Sequence, residues 1–279
     1  MILIADGGST KVDWRLVDNG KEIKQVNTKG MNPFFRTVED ISEEIQAALL
    51  PEINGYSVDE VHFFGAGCTP AKRSIVGDAI AANFETAQIE VESDLLAAAK
   101  GLCGQNEGIA CILGTGSNSC RYDGKDIVEN ISPLGYILGD EGSGAVLGRL
   151  FLNACLKNIL PYNIKKDLFD KYNLDVAYIL DRVYKEPMAN RFLAGFSPFI
   201  HKHLDNDVVY SLVYGAFRDF FIKNVIQYNY DLETKPVHFT GSIAFYYREV
   251  LEDVASNLHI KIGTIVQSPM EGLINYYNS

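Results

Sequence analysis

Apolar residues near the start of the chain follow the two patterns typical of β-strands. The continuous apolar run Ile2–Ala5 stands before a glycine pair, which predicts a buried strand. Positions 12–16 then alternate between apolar and polar residues and lead into an Asn-Gly turn at 19–20. This alternation predicts a second strand and a hairpin, with a third strand over 21–26.

The same pattern restarts 108 residues further along the chain. Ile109–Leu113 is an apolar run, and a Gly/Thr/Ser turn, an outgoing strand over 119–122 and a hairpin at 123–125 follow it. Each copy leads into segments with helical and strand periodicity. The repetition predicts a duplicated α/β architecture.

The chain becomes mostly helical after Gly144. Helical patterns cover 145–227 with short interruptions, and strands return at 237–239 and 261–266 before a closing helix over 271–277. No Pro/Ser-rich linker separates the parts. We therefore place the domain boundary just after the second glycine turn, near residue 116.

Composition excludes several classes of function. The formal net charge is −11 and no cluster of Lys and Arg stands out, so nucleic acid is not an expected partner. The first residues lack the basic segment of a signal peptide, and no apolar run is long enough for a membrane helix. Five cysteines without a CxxC pair suggest reduced, buried thiols. These features predict a cytoplasmic protein without a membrane partner.

The turn after the first strand has the residue types of a phosphate site. Glycines let the backbone approach a phosphate, while successive N–H groups and hydroxyls surround its oxygens. The aspartate would face the Mg²⁺ that accompanies a nucleotide, through water. The alternative is a tight hairpin whose polar side chains cap backbone amides. The residues of this turn are Asp6, Gly7, Gly8, Ser9, Thr10 and Lys11.

The turn after the second apolar run repeats this composition. The first turn matches neither a Walker loop nor a dinucleotide-binding turn, and the second turn is a weak motif by itself. Its value comes from the pairing with the first turn, because phosphoryl transfer is mostly positioning and requires a firmly held phosphate chain. Its residues are Gly114, Thr115, Gly116 and Ser117.

Other polar residues stand at positions suited to chemistry. Asp94 follows a predicted strand and begins a predicted helix, so it could accept a hydroxyl proton or, like Ser93, cap the helix. Asp140 precedes another helix, where a carboxylate is favourable through the helix dipole alone. Asn32 suits either a turn or a donor to a polar ligand. The pair Tyr246-Tyr247 is expected to pack within a helix.

These segments, in this order, resemble the superfamily of sugar kinases, heat-shock chaperones and actin. Within it the chain is most similar to the BadF/BadG/BcrA/BcrD ATPase family, whose best-known enzymes are N-acetylglucosamine kinases. The resemblance spans the whole chain and is strongest from Ser93 to Gly144, at the turns 114–118 and 139–143. It implies two ribonuclease H-like domains around a nucleotide cleft. These are an N-terminal domain over 1–116, on which a closing helix over 270–279 packs back, and a C-terminal domain over 117–269 with a helical insertion.

The resemblance also implies roles for individual residues. The two glycine turns would hold ATP, with Thr10 near the terminal phosphates and Thr115 in contact with ATP, and Gly241 stands in the adenosine-side turn. Asp94 would activate the 6-hydroxyl of an amino sugar as the catalytic base. The sugar itself would be contacted by Asn32, Gly135 and Asp140.

The chain departs from the family pattern at three positions. Phe34 replaces another aromatic residue near Asn32, Leu134 replaces a tryptophan before Gly135, and Ser242 stands where a second glycine is common. The change at Leu134 suggests a different stacking surface or specificity for the sugar.

The expected function is ATP-dependent phosphorylation of an amino sugar, N-acetylglucosamine or a cell-wall derivative, with ATP and Mg²⁺ as cofactors. A regulatory ATPase that acts on a protein partner is the main alternative, and a sugar-sensing protein without turnover is the other. Homodimers are expected on general grounds.

Overall fold

The computed structural model describes residues 1–8 and 10–278. The chain divides into two compact units. The first contains Met1–Glu107, Asp123–Ile127 and Pro269–Ser279, and the second contains Gly108–Tyr122 and Val128–Ser268. The division at 107/108 precedes the second apolar run, whereas the sequence placed the boundary near residue 116.

Each unit contains one five-stranded sheet. In the first sheet the strands are β1 (Ile2–Gly7), β2 (Lys11–Asp18), β3 (Lys21–Lys29), β4 (Glu60–Gly65) and β5 (Gln88–Ser93). In the second they are β6 (Glu107–Leu113), β7 (Ser117–Asp123), β8 (Ile127–Asn130), β9 (Val237–Thr240) and β10 (Ile262–Val266).

The two sheets have the same topology. The spatial orders are β3-β2-β1-β4-β5 and, read in the same direction, β8-β7-β6-β9-β10. In both, the central strand has a parallel neighbour that is followed by a further parallel strand. This equivalence confirms the predicted α/β class with a duplicated plan.

Helices cover the sheets and fill the connections. The first unit has α1 (Val38–Glu44), which continues as a π-helical turn (Ile45–Leu49), and α2 (Arg73–Ala81) and α3 (Asp94–Cys103). The second has α4 (Gly135–Leu138), α5 (Gly144–Leu156), α6 (Tyr162–Tyr172), α7 (Val176–Tyr184), α8 (Ala189–Ala194), α9 (Ser197–Lys202), α10 (Asp207–Phe220), which continues as a π-helical turn (Phe221–Val225), and then α11 (Ser242–Tyr246) and α12 (Arg248–Asn257). The last helix, α13 (Met270–Tyr277), belongs to the first unit.

The first sheet is buried on both faces because its side chains alternate between two apolar clusters. Leu3 and Phe63 pack in a cluster with residues of α1 and α2, whereas their neighbours Ile4 and Phe64 pack with residues of α3 and α13. The period-2 alternation of a strand assigns successive side chains to opposite faces. The first unit is therefore a three-layer structure, and its loops emerge at the two ends of the sheet.

Candidate active site

In the first unit, three parallel strands end at the same level. Gly7 of β1 lies opposite Gly65 of β4, and Gly65 lies opposite Ser93 of β5. The loops that follow these strands therefore emerge side by side at one edge of the sheet. In α/β sheets the carboxyl ends of parallel strands are the usual place for a ligand.

Asp94 is the first residue after β5, and its alternative role as a helix cap is performed by Ser93. The Ser93 hydroxyl accepts a hydrogen bond of 3.2 Å from the Leu96 N–H, which is the geometry of an N-cap. Burial raises the pKa of the Asp94 carboxyl, although hydrogen bonds from backbone N–H groups offset part of this shift. The result is a carboxylate of enhanced basicity at the edge of the sheet.

The loop after β4 lies beside Asp94. Burial and the negative charges of Asp94 and Glu92 raise the pKa of the Cys68 thiol to about 12. Gly67 of this loop has φ +83°, a conformation that favours glycine. Gly65–Cys68 was not predicted as part of the site, although its Gly-x-Gly sequence directly after a strand could have indicated a ligand-binding loop.

Asn32 contacts the same loop. A Cβ atom added to Gly67 would lie 2.5 Å from the Asn32 Oδ1 atom, so Gly67 leaves room for the amide group. The same oxygen accepts a 2.9 Å hydrogen bond from the Phe34 N–H, as in an Asx turn. Phe34 is half exposed beside it, with the Lys72 Nζ atom 5.0 Å from the ring centroid. Asn32 and Asp94 are thus both neighbours of one short loop.

The turn after β1 is held by backbone hydrogen bonds. The Gly8 N–H donates to the Lys11 carbonyl at 2.9 Å, and the Thr10 carbonyl accepts a bond of 2.8 Å from Gly30. A Cβ atom at Gly7 would lie 2.7 Å from the buried Phe63 ring, so a larger residue at that position would force the ring to shift. Thr10 and Lys11 are exposed, and Asp6 is partly buried at the end of β1. Ser9 lies outside the described residues.

The equivalent turn of the second unit follows β6. The Gly114 N–H donates to the Gly116 carbonyl at 2.9 Å. The first N–H groups of α5 bind the same turn, from Gly144 to Gly114 at 2.8 Å and from Ala145 to Thr115 at 3.1 Å. The start of a helix therefore fixes this turn, and the exposed Thr115 side chain is available to a ligand.

Asp140 contacts the second glycine turn directly. Its Oδ1 atom accepts a 3.2 Å hydrogen bond from the Ser117 N–H, and a Cβ atom at Gly116 would lie 3.2 Å from its Oδ2 atom. Burial raises the pKa of the Asp140 carboxyl, the Ser117 N–H lowers it, and the neighbouring charge of Glu141 raises it further. Helix α5 is capped by Ser143, so Asp140 is not its N-cap.

Gly135 begins α4 on an exposed loop. It has φ +72°, and a Cβ atom placed there would meet no atom within 4 Å. Leu134, which precedes it, has φ +59° and is largely exposed. Both Gly135 and Asp140 belong to the segment that joins β8 to α5. A side chain at Gly135 would have no close neighbours, whereas Asp140 is hydrogen-bonded to the second glycine turn through the Ser117 N–H.

Gly241 follows β9 and must be glycine. Its φ is +111°, and a Cβ atom there would clash with the Leu113 carbonyl oxygen. A cavity of about 430 Å³ lies beside this turn. Its walls are mostly apolar and are formed by Ser197, Pro198, His201, Ser242, Ile243, Tyr246 and Tyr247.

The two neighbouring tyrosines of this cavity differ. Tyr247 is buried and donates its hydroxyl to the Ser197 carbonyl at 2.6 Å, as expected for a packing residue. Tyr246 is 55% exposed on the rim, so the expectation that both tyrosines pack is wrong for Tyr246. Helical periodicity did not distinguish them, because the cavity wall comes from α9, which is distant in sequence.

No group of three or more His, Cys, Asp or Glu side chains suited to a metal is found in the described ranges 1–8 and 10–278. Asp6, partly buried near the end of β1, carries a carboxylate, the oxygen ligand that Mg²⁺ prefers. Within the same described residues, no helix is long and apolar enough to cross a membrane.

The paired five-stranded sheets have the fold of the actin-like ATPase class. The family model for the BadF/BadG/BcrA/BcrD ATPases matches residues 5–274. The chain therefore belongs to the BadF/BadG/BcrA/BcrD ATPase family, and the sequence-based prediction of this family is confirmed.

Solved structures agree with this assignment. A protein from Porphyromonas gingivalis, provisionally described as an N-acetylglucosamine kinase, is 50% identical over 100% of this chain and 99% of its own, with a TM-score of 0.96. One from Chromobacterium violaceum with the same provisional description is 17% identical over 99% and 98% of the two chains, with a TM-score of 0.76.

A ROK family glucokinase from Streptomyces griseus, solved with glucose and AMPPNP, shares the fold at 15% identity and a TM-score of 0.55, covering 98% of this chain and 97% of that one. Among curated proteins, no sequence matches the chain significantly.

Proposed function

We propose that this protein is an ATP-dependent kinase that phosphorylates the 6-hydroxyl of an amino sugar, with N-acetylglucosamine or a cell-wall derivative as the preferred substrate. The class of sugar kinase follows from the family and from the neighbour at 50% identity. The particular sugar and the position of transfer are our inference from the candidate site.

The observation that carries the proposal is the environment of Asp94. It stands at the end of β5, level with the ends of β1 and β4, and Ser93 relieves it of the capping role. Its raised pKa makes it a better proton acceptor than an exposed aspartate. A carboxylate so placed would take the proton from a hydroxyl group while the oxygen attacks the terminal phosphorus of ATP.

We assign sugar recognition in the first unit to Asn32. Its side chain and Asp94 both adjoin the loop Gly65–Cys68, so a sugar seated at that loop would meet an amide and a carboxylate. The half-exposed Phe34 offers an apolar face for a sugar ring or its N-acetyl group. In the second unit, Gly135 and Asp140 remain the proposed sugar contacts.

We assign the nucleotide to the glycine turns and to the cavity beside Gly241. N–H groups and hydroxyls of Asp6–Lys11 and Gly114–Ser117 would hold phosphate oxygens. The cavity has the volume and the apolar walls that a base requires, and the exposed Tyr246 ring can stack on it. Mg²⁺ would be held near Asp6 through water and would supply charge neutralisation to the phosphates.

A coupled ADP-release assay tests the proposal. We expect rapid ADP formation with N-acetylglucosamine or another amino sugar and background rates with plain hexoses. The matched 6-deoxy sugar should bind and inhibit without turnover, because it lacks the accepting hydroxyl. ADP formation that no sugar stimulates, but that a protein partner does, would favour a regulatory ATPase instead.

A further inference from the structure

A buried lysine lies on α3, the helix that begins at the candidate base Asp94. Lys100 of α3 is only 7% exposed, and lysine is rarely buried to this extent without a partner. Its Nζ atom donates to the Glu90 Oε1 atom at 3.2 Å and to the Tyr277 hydroxyl at 3.0 Å. The rings of Phe64, Tyr276 and Tyr277 surround the ammonium group at 5.2 to 5.4 Å.

Glu90 of β5 is the centre of this cluster. Its Oε2 atom lies 2.7 Å from the His62 Nδ1 atom, and the other His62 ring nitrogen lies 3.0 Å from the Glu60 carboxylate. The hydrogen bond with His62, followed by the charge and hydrogen bond of Lys100 and the hydrogen bond of Tyr277, lowers the pKa of the Glu90 carboxyl to about 2, although burial opposes this shift. Glu90 is therefore ionised at neutral pH and binds Lys100 as a charged pair.

The Glu90–Lys100 pair links β5 to α3, the strand and the helix that meet at Asp94. Glu90 precedes Asp94 by four residues on the strand, and Lys100 follows it by six residues on the helix. At a rise of about 1.5 Å per residue, Lys100 lies about 9 Å along the helix from Asp94. The ion pair thus connects the strand to the helix, and Ser93 and Asp94 form the bend between them.

Helix α13 contacts both β5 and α3. The Tyr277 hydroxyl donates to the Glu90 Oε2 atom at 3.0 Å, in addition to its contact with Lys100. At the other end of α13, a Cβ atom at Gly272 would clash with the Gly101 carbonyl oxygen, and one at Gly101 would lie 2.6 Å from the Pro269 carbonyl oxygen. The two glycines let α13 and α3 approach at backbone distance, so movement of α3 against α13 is restricted.

We propose that Lys100, Glu90 and Tyr277 are positioning residues. They hold β5 against α3 and so fix the orientation of the Asp94 carboxylate for proton transfer. This inference rests on the proposed role of Asp94 as the base. A cluster with a purely structural role would stabilise the unit without affecting the orientation of Asp94. The two roles differ in what happens to turnover and to the mobility of the bend.

The test uses Lys100→Met and Tyr277→Phe in the full chain. Methionine fits the aromatic surroundings and leaves Glu90 paired with His62, while phenylalanine keeps the ring that stacks on His62 at 3.9 Å. Arg15→Met is the matched control, because Arg15 on β2 of the same sheet is also a largely buried cation with carboxylate partners, in its case Asp13 and Glu22. Steady-state kinetics and hydrogen exchange of the amides of residues 94–97 are measured for each.

We expect kcat to fall about 10- to 100-fold in Lys100→Met and about 3- to 10-fold in Tyr277→Phe, with KM for ATP and sugar changed less than about threefold, because small misplacements of a reacting group are costly. Exchange at 94–97 should accelerate in both variants. In Arg15→Met, thermal stability should fall while kcat and this exchange stay at wild-type values.

Two results overturn the inference. One is unchanged exchange at 94–97 in both variants, and the other is a kcat loss that Arg15→Met reproduces in proportion to lost stability. If the wild-type protein phosphorylates no sugar, the proposed function fails, yet the exchange measurement still decides whether the cluster holds the bend. Should Lys100→Met not fold, Tyr277→Phe alone provides both readouts.

Discussion

The two units share one strand order but differ in the chemistry at equivalent strand ends. After β5 the first unit places Asp94, whereas after the equivalent β10 the chain leads to α13. After β4 comes a loop that touches Asn32, and after the equivalent β9 comes Gly241 beside a cavity of about 430 Å³. The turns after β1 and β6, by contrast, resemble each other in composition.

This comparison suggests a division of work. The first unit offers a carboxylate and an amide, which suit a hydroxyl substrate, and the second offers an apolar cavity, which suits a base. The second unit also contains a long helical insertion between β8 and β9, where the first has only α1 and its π-helical turn. The duplicated scaffold thus explains the paired glycine turns, while the features that differ between the units come from loops and insertions outside the shared plan.

Loss of the proposed base should have the largest effect. We expect Asp94→Asn to lower kcat about 1,000-fold, because general base catalysis contributes about 10² to 10⁴ in rate. KM for ATP should stay unchanged, since the nucleotide is assigned to other residues. The ADP-release assay measures both, with Asp78→Asn on the exposed side of α2 as the control. Full activity in Asp94→Asn would remove the carboxylate from the mechanism.

The next largest effect distinguishes sugar binding from nucleotide binding. Asn32→Ala should raise KM for the sugar about 10- to 100-fold, because a polar contact to the substrate is lost, and should leave KM for ATP unchanged. Asn54→Ala, in an exposed loop of the same unit, is the control. An equal rise in both KM values would mean that Asn32 only supports the local turn.

The reciprocal change is Tyr246→Ala in the second unit. We expect KM for ATP to rise about 10-fold with little change in sugar KM, because a stacked base is worth about 1 to 3 kcal/mol. Direct nucleotide titration measures the same loss. Tyr184→Ala, another exposed tyrosine of this unit, is the control. Unchanged nucleotide affinity in Tyr246→Ala would place the base outside this cavity.

The smallest expected effect concerns stability and pH. Because the folded-state pKa of Asp94 is raised, ionising its carboxyl destabilises the folded protein, and this cost grows as pH rises from the ordinary aspartate pKa to the folded one. Asp94→Asn should therefore be more stable than wild type at neutral pH, and the difference should vanish below the ordinary pKa of about 3.8. Urea unfolding at several pH values measures it. A difference that grows towards acid pH would contradict the raised pKa.

Sequence periodicity identified the duplicated α/β plan because strand alternation and glycine turns are local signals. The turns at Asp6–Lys11 and Gly114–Ser117 were predicted as phosphate sites from the same kind of local signal. Contacts formed by distant segments were not accessible, such as the cavity between α9 and Tyr246 or the loop that joins Asn32 to Asp94. The ambiguity between Ser93 and Asp94 as the cap also required the hydrogen bond to Leu96 to resolve it.

The central claim is the transfer of phosphate from ATP to a sugar hydroxyl, and the identity of the product tests it most directly. The wild-type protein is incubated with ATP, Mg²⁺ and N-acetylglucosamine, and the mixture is followed by ³¹P and ¹³C NMR. The account predicts a phosphomonoester on carbon 6 of the sugar, formed in equal amount to ADP. Release of inorganic phosphate with the sugar unchanged would contradict it.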